Sequence, residues 1–205
     1  PARLILMFTL PLIAGNIFQQ LYAFVDTLIV GRFLGVDALA AVGCTGSLMF
    51  LMLGFVIGFS TGITIYTGQR YGAKDEHGVR QSAAACTILS IVVSVVLTAI
   101  GVVMCRQLLI WMQTPEEVLP LATTYLRIYF LGMASTMVYN FGSALLRSVG
   151  DTRRPLYYLT FAGCVNVVLN LLTVIVLHLD VVGVAIATVI SETISAFLVL
   201  RCMCK

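Results

Sequence analysis

The chain alternates between long uncharged apolar runs and short polar links. A hydrocarbon layer about 30 Å thick requires roughly 20 apolar residues in a helix. Six runs have this character, at residues 4–25, 38–69, 81–105, 128–146, 156–177 and 181–200, and Glu192 alone interrupts the last. The pattern predicts six transmembrane helices, at residues 4–30, 37–69, 80–106, 118–147, 155–178 and 181–202.

Composition places the chain in the membrane and excludes several classes of function. Hydrophobic residues make up 60%, charged residues 10%, and mean hydropathy is +1.04, which excludes an ordinary soluble domain. A net charge of +3 is too small to indicate nucleic-acid binding. The six cysteines lie scattered in apolar segments without C-x-x-C spacing, so small buried residues are favoured over a metal or disulfide framework. Because the chain begins at Pro1, we interpret it as a fragment.

The distribution of Lys and Arg predicts the orientation. With a cytoplasmic N-terminus, nine of these residues fall on the inner side and three on the outer side. Cytoplasmic loops carry the excess of positive charge in membrane proteins. Both ends of the fragment are therefore predicted to be cytoplasmic.

Polar residues recur along one side of three predicted helices. The first helix carries Asn16, Gln19, Gln20, Ala23, Asp26 and Thr27; the fourth carries Tyr129, Gly132, Thr136, Asn140 and Ser143; the fifth carries Asn166, Asn170 and Thr173. Any single one of these residues suits a hydrogen bond between neighbouring helices. Three such stripes together favour a polar cavity. Pro11 predicts a kink in the first helix, because proline removes a backbone hydrogen bond.

Asp26 is the most informative residue, because no charge precedes it back to Arg3. At a rise of 1.5 Å per residue, Asp26, Asn170 and Thr188 all lie roughly 12 to 14 Å below the outer links, so they can meet in one layer. A carboxylate at this depth costs several kcal/mol unless it is protonated or paired. Alternating between these forms would load and unload a proton or sodium ion. The structural alternative is a permanently neutral aspartate that braces the bundle.

Two other signals carry less weight. Glu192, in the middle of the sixth helix, is a secondary cavity candidate or a protonated packing residue. The segment GFSTG matches the G-x-S-x-G pattern of serine hydrolases but lies inside a helix, where Gly54, Gly58 and Gly62 instead predict a ridge for close helix packing. We predict no catalytic residues, no enzyme activity, no cofactor and no metal site apart from a possible Na⁺ at the layer of Asp26.

Several motifs in order resemble one transporter family. They are LPLIAGNIFQQLYAFVDTLIVGRFLGVDALAAVG, TGQRYGAKD, LLRSVGDTRRPL, NVVLN and GVAIATVIS. Over essentially the whole chain they resemble the N-terminal half of a multidrug and toxic compound extrusion (MATE) transporter. The resemblance implies an all-α membrane fold of twelve helices in two six-helix lobes, of which residues 1–205 form one and the second is absent.

The resemblance also implies antiport, in which an organic and often cationic compound leaves while H⁺ or Na⁺ enters. Asp26 matches the family's coupling carboxylate and Pro11 its bending proline, while Asn166, Asn170 and Thr188 match positions lining the same ion site. Some relatives carry aspartate where this chain has Asn170. That departure argues against a mechanism with two carboxylates at this site and leaves Asp26 as its main titrating group.

We therefore predict a secondary active antiporter with Asp26 as the coupling carboxylate. Its predicted partners are the lipid bilayer, a small organic substrate and the C-terminal lobe of the same transporter. The predicted cavity-lining residues are Asn16, Gln19, Gln20, Tyr129, Thr136, Asn140 and Glu192. Two alternatives stay open, namely a flippase for lipid-linked precursors, which requires abundant Arg and Lys in its cleft, and a non-transporting membrane scaffold.

Overall fold

The computed structural model describes residues 2–203, apart from the side chains of residues 2–8 and 11. Six α-helices account for nearly all of this part of the chain, and no strand occurs in it. They are α1 Ala2–Ile29, α2 Val36–Gly72, α3 Glu76–Trp111, α4 Leu119–Ser148, α5 Arg153–Leu171 and α6 Asp180–Met203. A short π-helical segment follows α1 at Val30–Leu34 and another follows α5 at Leu172–Val176.

The second and third helices are longer than a bilayer requires. With 37 residues, α2 is about 55 Å long, so it either tilts or extends past the hydrocarbon layer. The link to α3 is tight, because Asp75 accepts a hydrogen bond from the Gly78 N–H (2.9 Å) and pairs with Arg70 (3.0 Å). The Gly78 N–H, assisted by Arg70, holds the pKa of Asp75 below its usual range. Such capping satisfies a free donor of the first helical turn.

The fourth helix lies in the middle of the bundle and packs against α2, α3 and α6. Its buried residues, among them Phe130, Met133 and Met137, form much of the hydrophobic core. The other five helices are long and apolar enough to cross a membrane by composition alone. With 30 residues α4 is also long enough. Because neighbouring helices surround it, one of its faces can carry polar residues without contacting lipid.

The remaining helices build one side of the bundle, since α6 contacts α5 and α5 contacts α1. This arrangement brings α1 to the polar faces of α5 and α6, which is what positions the candidate site. Helix α1 continues through Pro11. The predicted kink depends on a side chain outside the described residues and stays a prediction.

Close helix packing occurs at glycines other than those of the predicted ridge. Gly54, Gly58 and Gly62 have no neighbour within 4 Å of a would-be Cβ among the described residues, so the prediction that they pack helices together within this bundle is wrong. Tight approaches occur at Gly101 against Phe130, Gly132 against Val189, Gly142 against Val199 and Gly183 against Thr173. A G-x-x-x-G pattern identifies a smooth helix face but does not say whether the face is turned inward.

The same substitution is therefore expected to have opposite effects at Gly101 and Gly58. A Cβ at Gly101 would lie 2.1 Å from the buried Phe130 ring, so Gly101→Ala should destabilise the bundle by about 1 to 3 kcal/mol. Gly58→Ala meets open space and gains helix propensity, so it should be neutral or stabilising. Thermal unfolding in detergent measures both. A lower melting temperature for Gly58→Ala than for Gly101→Ala would contradict this packing.

Candidate functional site

A cluster of polar side chains joins α1, α5 and α6. The carboxylate of Asp26 accepts a short hydrogen bond from the Asn170 amide. One turn earlier in α5, Asn166 accepts a hydrogen bond from the same amide (3.0 Å). Both asparagines are almost fully buried, whereas Asp26 is partly accessible. The structure therefore turns the carboxylate inward, toward amide groups of a neighbouring helix.

The sixth helix contributes two hydroxyl groups to this cluster. The Asn166 amide donates to Thr188 Oγ1 at 3.3 Å and to Ser191 Oγ at 3.4 Å. Each hydroxyl donates in turn to a carbonyl of its own helix, at Val184 and Thr188 respectively. Asp26, Asn170 and Thr188, predicted to meet in one layer, are thus brought together with Asn166, which the family resemblance assigned to the same site.

The oxygen and nitrogen of the Asn166 amide are assigned by their hydrogen-bond partners, and two placements of them have different partners. In the first, its nitrogen faces the α6 hydroxyls and its oxygen faces the Asp26 carboxyl group. Turned over, its nitrogen lies 2.8 and 3.3 Å from the two carboxylate oxygens of Asp26 and 3.0 Å from the Asn170 nitrogen, so the hydrogen bond between the two asparagines is lost. The first orientation suits a protonated Asp26 or a cation between the oxygens, and the second suits a bare carboxylate, because an anion requires donors.

The cluster also has an oxygen atom without a partner. Asn170 Oδ1 is buried and accepts no hydrogen bond from any described residue. Buried polar atoms are nearly always satisfied, so an exception points to a missing proton, water or ion. Carboxylate, amide and hydroxyl oxygens are hard ligands that suit Na⁺, and the same carboxyl group can take H⁺. No group of three or more His, Cys, Asp or Glu residues suited to a metal occurs within the described part of the chain.

Both helices that carry the acidic and amide groups change to π geometry just beyond them. The segment Val30–Leu34 follows Asp26 by one turn, and Leu172–Val176 begins two residues after Asn170. The two π segments contact each other. Such segments are common at functional sites, because they interrupt the regular backbone ladder and leave it adjustable.

A cavity of about 460 Å³ extends from this cluster between α1, α2, α4, α5 and α6. Asn166 and Thr188 form part of its wall, with Asp26 and Asn170 behind them. Most of the predicted cavity residues line it, namely Asn16, Gln19, Tyr129, Thr136, Asn140 and Glu192.

Gln20 is the exception among the predicted lining residues. It lies in a groove on the outer side of α1, formed only by residues of that helix, together with Ala23 and Thr27. Successive helical residues are about 100° apart, so Gln20 cannot share the face of Gln19, Tyr22 and Asp26. The predicted polar stripe of α1 is therefore wider than the cavity: Gln19 faces the cavity, Gln20 faces the outer groove, and Asn16 borders both.

Glu192 lies farther along the cavity, between α6 and α4. Its carboxylate accepts a short hydrogen bond from the Thr136 hydroxyl. One helical turn along α4, the Asn140 amide donates to the Thr136 carbonyl at 2.8 Å. The lobe thus has a second carboxylate, which lines the cavity itself and is separate from the cluster around Asp26.

Sequence reasoning missed several residues of this region, of which three are instructive. Ser191 lies three residues after Thr188, and Tyr22 lies four residues before Asp26, so helical periodicity applied to the site residues would have found both. Arg147 also lines the cavity, although its position at the end of an apolar run made it look like a loop residue. The sequence gives no signal for its inward direction.

Comparisons with known proteins agree with this geometry. The family model MatE matches residues 11–172. The chain is 38% identical over 200 residues to the Bacillus subtilis protein named "Probable multidrug resistance protein YoeA", covering 95% of this chain and 42% of the relative. It is 34% identical over 191 residues to "Probable multidrug resistance protein YpnP" of the same organism, covering 93% of this chain and 43% of the relative.

A solved structure described as the outward-facing conformation of a multidrug resistance MATE family transporter superimposes with a TM-score of 0.93 at 26% identity, covering 98% of this chain and 44% of that one. The chain thus spans less than half the length of the proteins it matches. Its six helices have the architecture of one lobe of such a transporter. The chain belongs to the MatE family of multidrug and toxic compound extrusion transporters.

Proposed function

We propose that this chain is the N-terminal lobe of a secondary active antiporter, which exports organic and often cationic compounds in exchange for H⁺ or Na⁺. Asp26 is the coupling carboxylate in this proposal. The observation that carries it is the inward direction of Asp26, which meets Asn170 directly and lies beside the Asn166 amide, with an unpartnered oxygen of Asn170 nearby. The two Bacillus relatives, both named as multidrug resistance proteins, support the substrate class.

The coupling ion acts by changing what Asp26 requires from its neighbours. With the ion bound, the Asn166 and Asn170 oxygens can face the site; after its release, the carboxylate requires N–H donors, and the Asn166 amide turns over. Because these partners belong to α5, ion binding favours one packing of α1 against α5. A ligand shifts such an equilibrium only as far as its affinities for the two states differ.

The lobe works in the bilayer together with a second lobe of the same transporter. We place both ends of this chain in the cytoplasm, because nine basic residues lie on that side and three on the other. Substrate leaves through a cleft between the lobes while the ion enters at Asp26.

The two alternative functions fit the geometry less well. In a scaffold, the polar side chains would all hydrogen-bond to neighbouring helices. Here six of the predicted cavity-lining residues line an open cavity instead. A flippase for lipid-linked pyrophosphates requires several basic residues in its cleft. In the described part of the lobe the cavity lining contains a single one, Arg147.

Asp26→Asn tests the coupling role. This substitution preserves shape but removes the titrating group, so the intact transporter should lose ion-coupled efflux while keeping its membrane insertion. Asp37→Asn is the matched control, because Asp37 is exposed near the start of α2 on the same side of the membrane. Efflux of a cationic dye from proteoliposomes with an imposed H⁺ or Na⁺ gradient measures both variants. Efflux at the wild-type rate in Asp26→Asn would defeat the proposal.

Asn170→Leu tests the amide that donates a hydrogen bond to Asp26. The variant should raise the ion concentration for half-maximal efflux by about tenfold or more, the usual effect of removing a partner of an ion ligand. Thr160→Val, ten residues earlier in α5, serves as control, because the Thr160 hydroxyl bonds only to the Leu156 carbonyl of its own helix and does not line the cavity. Equal shifts in the two variants would indicate a general effect of altering α5.

A further inference from the structure

Positive charge is concentrated where α5 begins and α6 ends. On the same side of the membrane, the α2–α3 link at residues 70–80 balances three basic residues with two acidic ones. The start of α5 and the end of α6 instead carry Arg153, Arg154 and Arg201, and Asp151 is the acidic residue beside them. All three arginine side chains are exposed. This part of the surface therefore has an excess of accessible cations.

Arg154 is held on the side of α5 that faces α6. Its Nε atom lies 3.2 Å from Asp151 Oδ2, and a terminal nitrogen donates to Cys202 Sγ of α6 at 3.4 Å. A guanidinium group has five N–H donors, so these two contacts orient it and leave donors free. The side chain of Arg154 is 60% exposed. Arg154 is thus an oriented and accessible cation between the ends of two helices.

Helical periodicity separates Arg154 from its neighbour Arg153. Successive residues are about 100° apart, so Arg154 lies about 40° around α5 from Tyr158, and Arg153 about 140°. The Tyr158 hydroxyl lies beside the Cys202 sulfur. Arg201, next to Cys202 in α6, makes no ion pair in the described part of the chain. Arg154, Arg201 and Tyr158 therefore form one cluster of donors, which we call the α5–α6 corner.

An exposed apolar face continues from the α5–α6 corner toward the middle of the membrane. Phe161 follows Arg154 by seven residues, which places it about 20° around α5 and about 10 Å deeper. Phe197 precedes Arg201 by four residues and lies about 6 Å deeper on α6. Both rings are more than half exposed, at 54% and 63%. Basic groups above apolar surface match the headgroup and the acyl chains of a phospholipid.

The outer face of α5 and α6 lies away from the open side of the lobe. Contacts arrange five helices in the order α1, α5, α6, α4 and α2, and the ends of this series meet mainly at the segment Val30–Leu34. The ring is least closed between α1 and α2, so a second lobe would complete it from that side. The α5–α6 corner is on a different side of the ring, where lipid surrounds the bundle.

We propose that the α5–α6 corner binds one anionic phospholipid, with its phosphodiester between Arg154 and Arg201. The acyl chains lie along the exposed faces that carry Phe161 and Phe197. Guanidinium groups favour phosphate oxygens, because their planar fork donates two parallel hydrogen bonds. Since the two arginines belong to different helices, the headgroup bridges α5 and α6 at their ends. This binding does not depend on transport, so it stands or falls apart from the antiport proposal.

Native mass spectrometry of the delipidated intact transporter tests the proposal, because it counts bound lipids one at a time. The probes are dioleoylphosphatidylglycerol, which is anionic, and dioleoylphosphatidylcholine, which has the same chains and no net charge. Arg154→Gln and Arg201→Gln each remove one charge from the corner. The matched control is Arg153→Gln, which removes the same charge from another face of the same turn. Asp151→Asn removes the acidic group beside Arg154 and keeps an oxygen acceptor.

The wild type should bind its first phosphatidylglycerol about tenfold or more tightly than phosphatidylcholine, since two basic groups meet one anionic headgroup. Arg154→Gln and Arg201→Gln should each weaken the first phosphatidylglycerol by about fivefold, and Arg153→Gln by less than about twofold. Asp151→Asn should strengthen it, because the headgroup no longer meets a neighbouring negative charge. A purely structural role for the Asp151–Arg154 pair would give no such gain.

A second readout locates the bound lipid. Phosphatidylglycerol should slow the alkylation of Cys202 by a water-soluble maleimide, whereas phosphatidylcholine and glycerol 3-phosphate should not. Protection by glycerol 3-phosphate as strong as that by phosphatidylglycerol would indicate a site for free phosphate and overturn the proposal.

Two further results would also overturn it. They are equal binding of the two lipids by the wild type, and a loss in Arg153→Gln as large as in Arg154→Gln, which would indicate a diffuse basic surface. Unchanged binding of phosphatidylcholine serves as the folding control for each variant. Because Arg201→Gln alters a different helix, it tests the corner even if Arg154→Gln fails to fold.

Discussion

The structure depends on the need of a carboxyl group inside a membrane for polar partners. Asp26 lies among apolar residues in α1, where an unpartnered charge costs several kcal/mol. The amides of Asn166 and Asn170 in α5 and the hydroxyls of Thr188 and Ser191 in α6 meet that need only if the three helices converge. The contacts of α1 with α5 and of α5 with α6 supply this convergence. The packing of α1, α5 and α6 against one another therefore depends on the charge state of Asp26.

In the rest of the lobe, the rigidly packed core lies apart from the segments that can change conformation. Helix α4 supplies a well-packed core on one side, with close contacts at Gly132 and Gly142 to α6. On its other side it exposes Tyr129, Thr136 and Asn140 to the cavity. The adjustable parts are the Asn166 amide, which has two sets of partners, and the π segments beyond Asp26 and Asn170. Small changes at the carboxylate can act on these parts without disturbing the core.

The sequence sufficed for the architecture because transmembrane helices must be long, apolar and fully hydrogen-bonded within themselves. It also sufficed to place Asp26, Asn170 and Thr188 in one layer, since helical rise fixes depth, whereas Asn166 was assigned to the site by the family resemblance. Direction around the helix axis was harder to predict. Gln20 and the glycines 54, 58 and 62 face outward, and Arg147 faces inward, because rotation depends on which neighbours each helix meets. That information lies in tertiary packing and not in local periodicity.

The most direct test of the central claim is the reactivity of Asp26 toward a hydrophobic carbodiimide in the intact transporter, mapped by mass spectrometry. If Asp26 alternates between ion-loaded and unloaded forms, its labelling should slow when Na⁺ replaces choline at constant pH, or when the pH is raised, while labelling of the exposed Asp37 stays insensitive to Na⁺. Carbodiimides react with the protonated acid, so labelling of any carboxyl group slows as the pH rises. The Na⁺ response therefore identifies sodium, and loss of Asp26 labelling at a higher pH than that of the exposed Asp37 identifies a proton. Labelling of Asp26 at one unchanged rate under all these conditions would contradict the account.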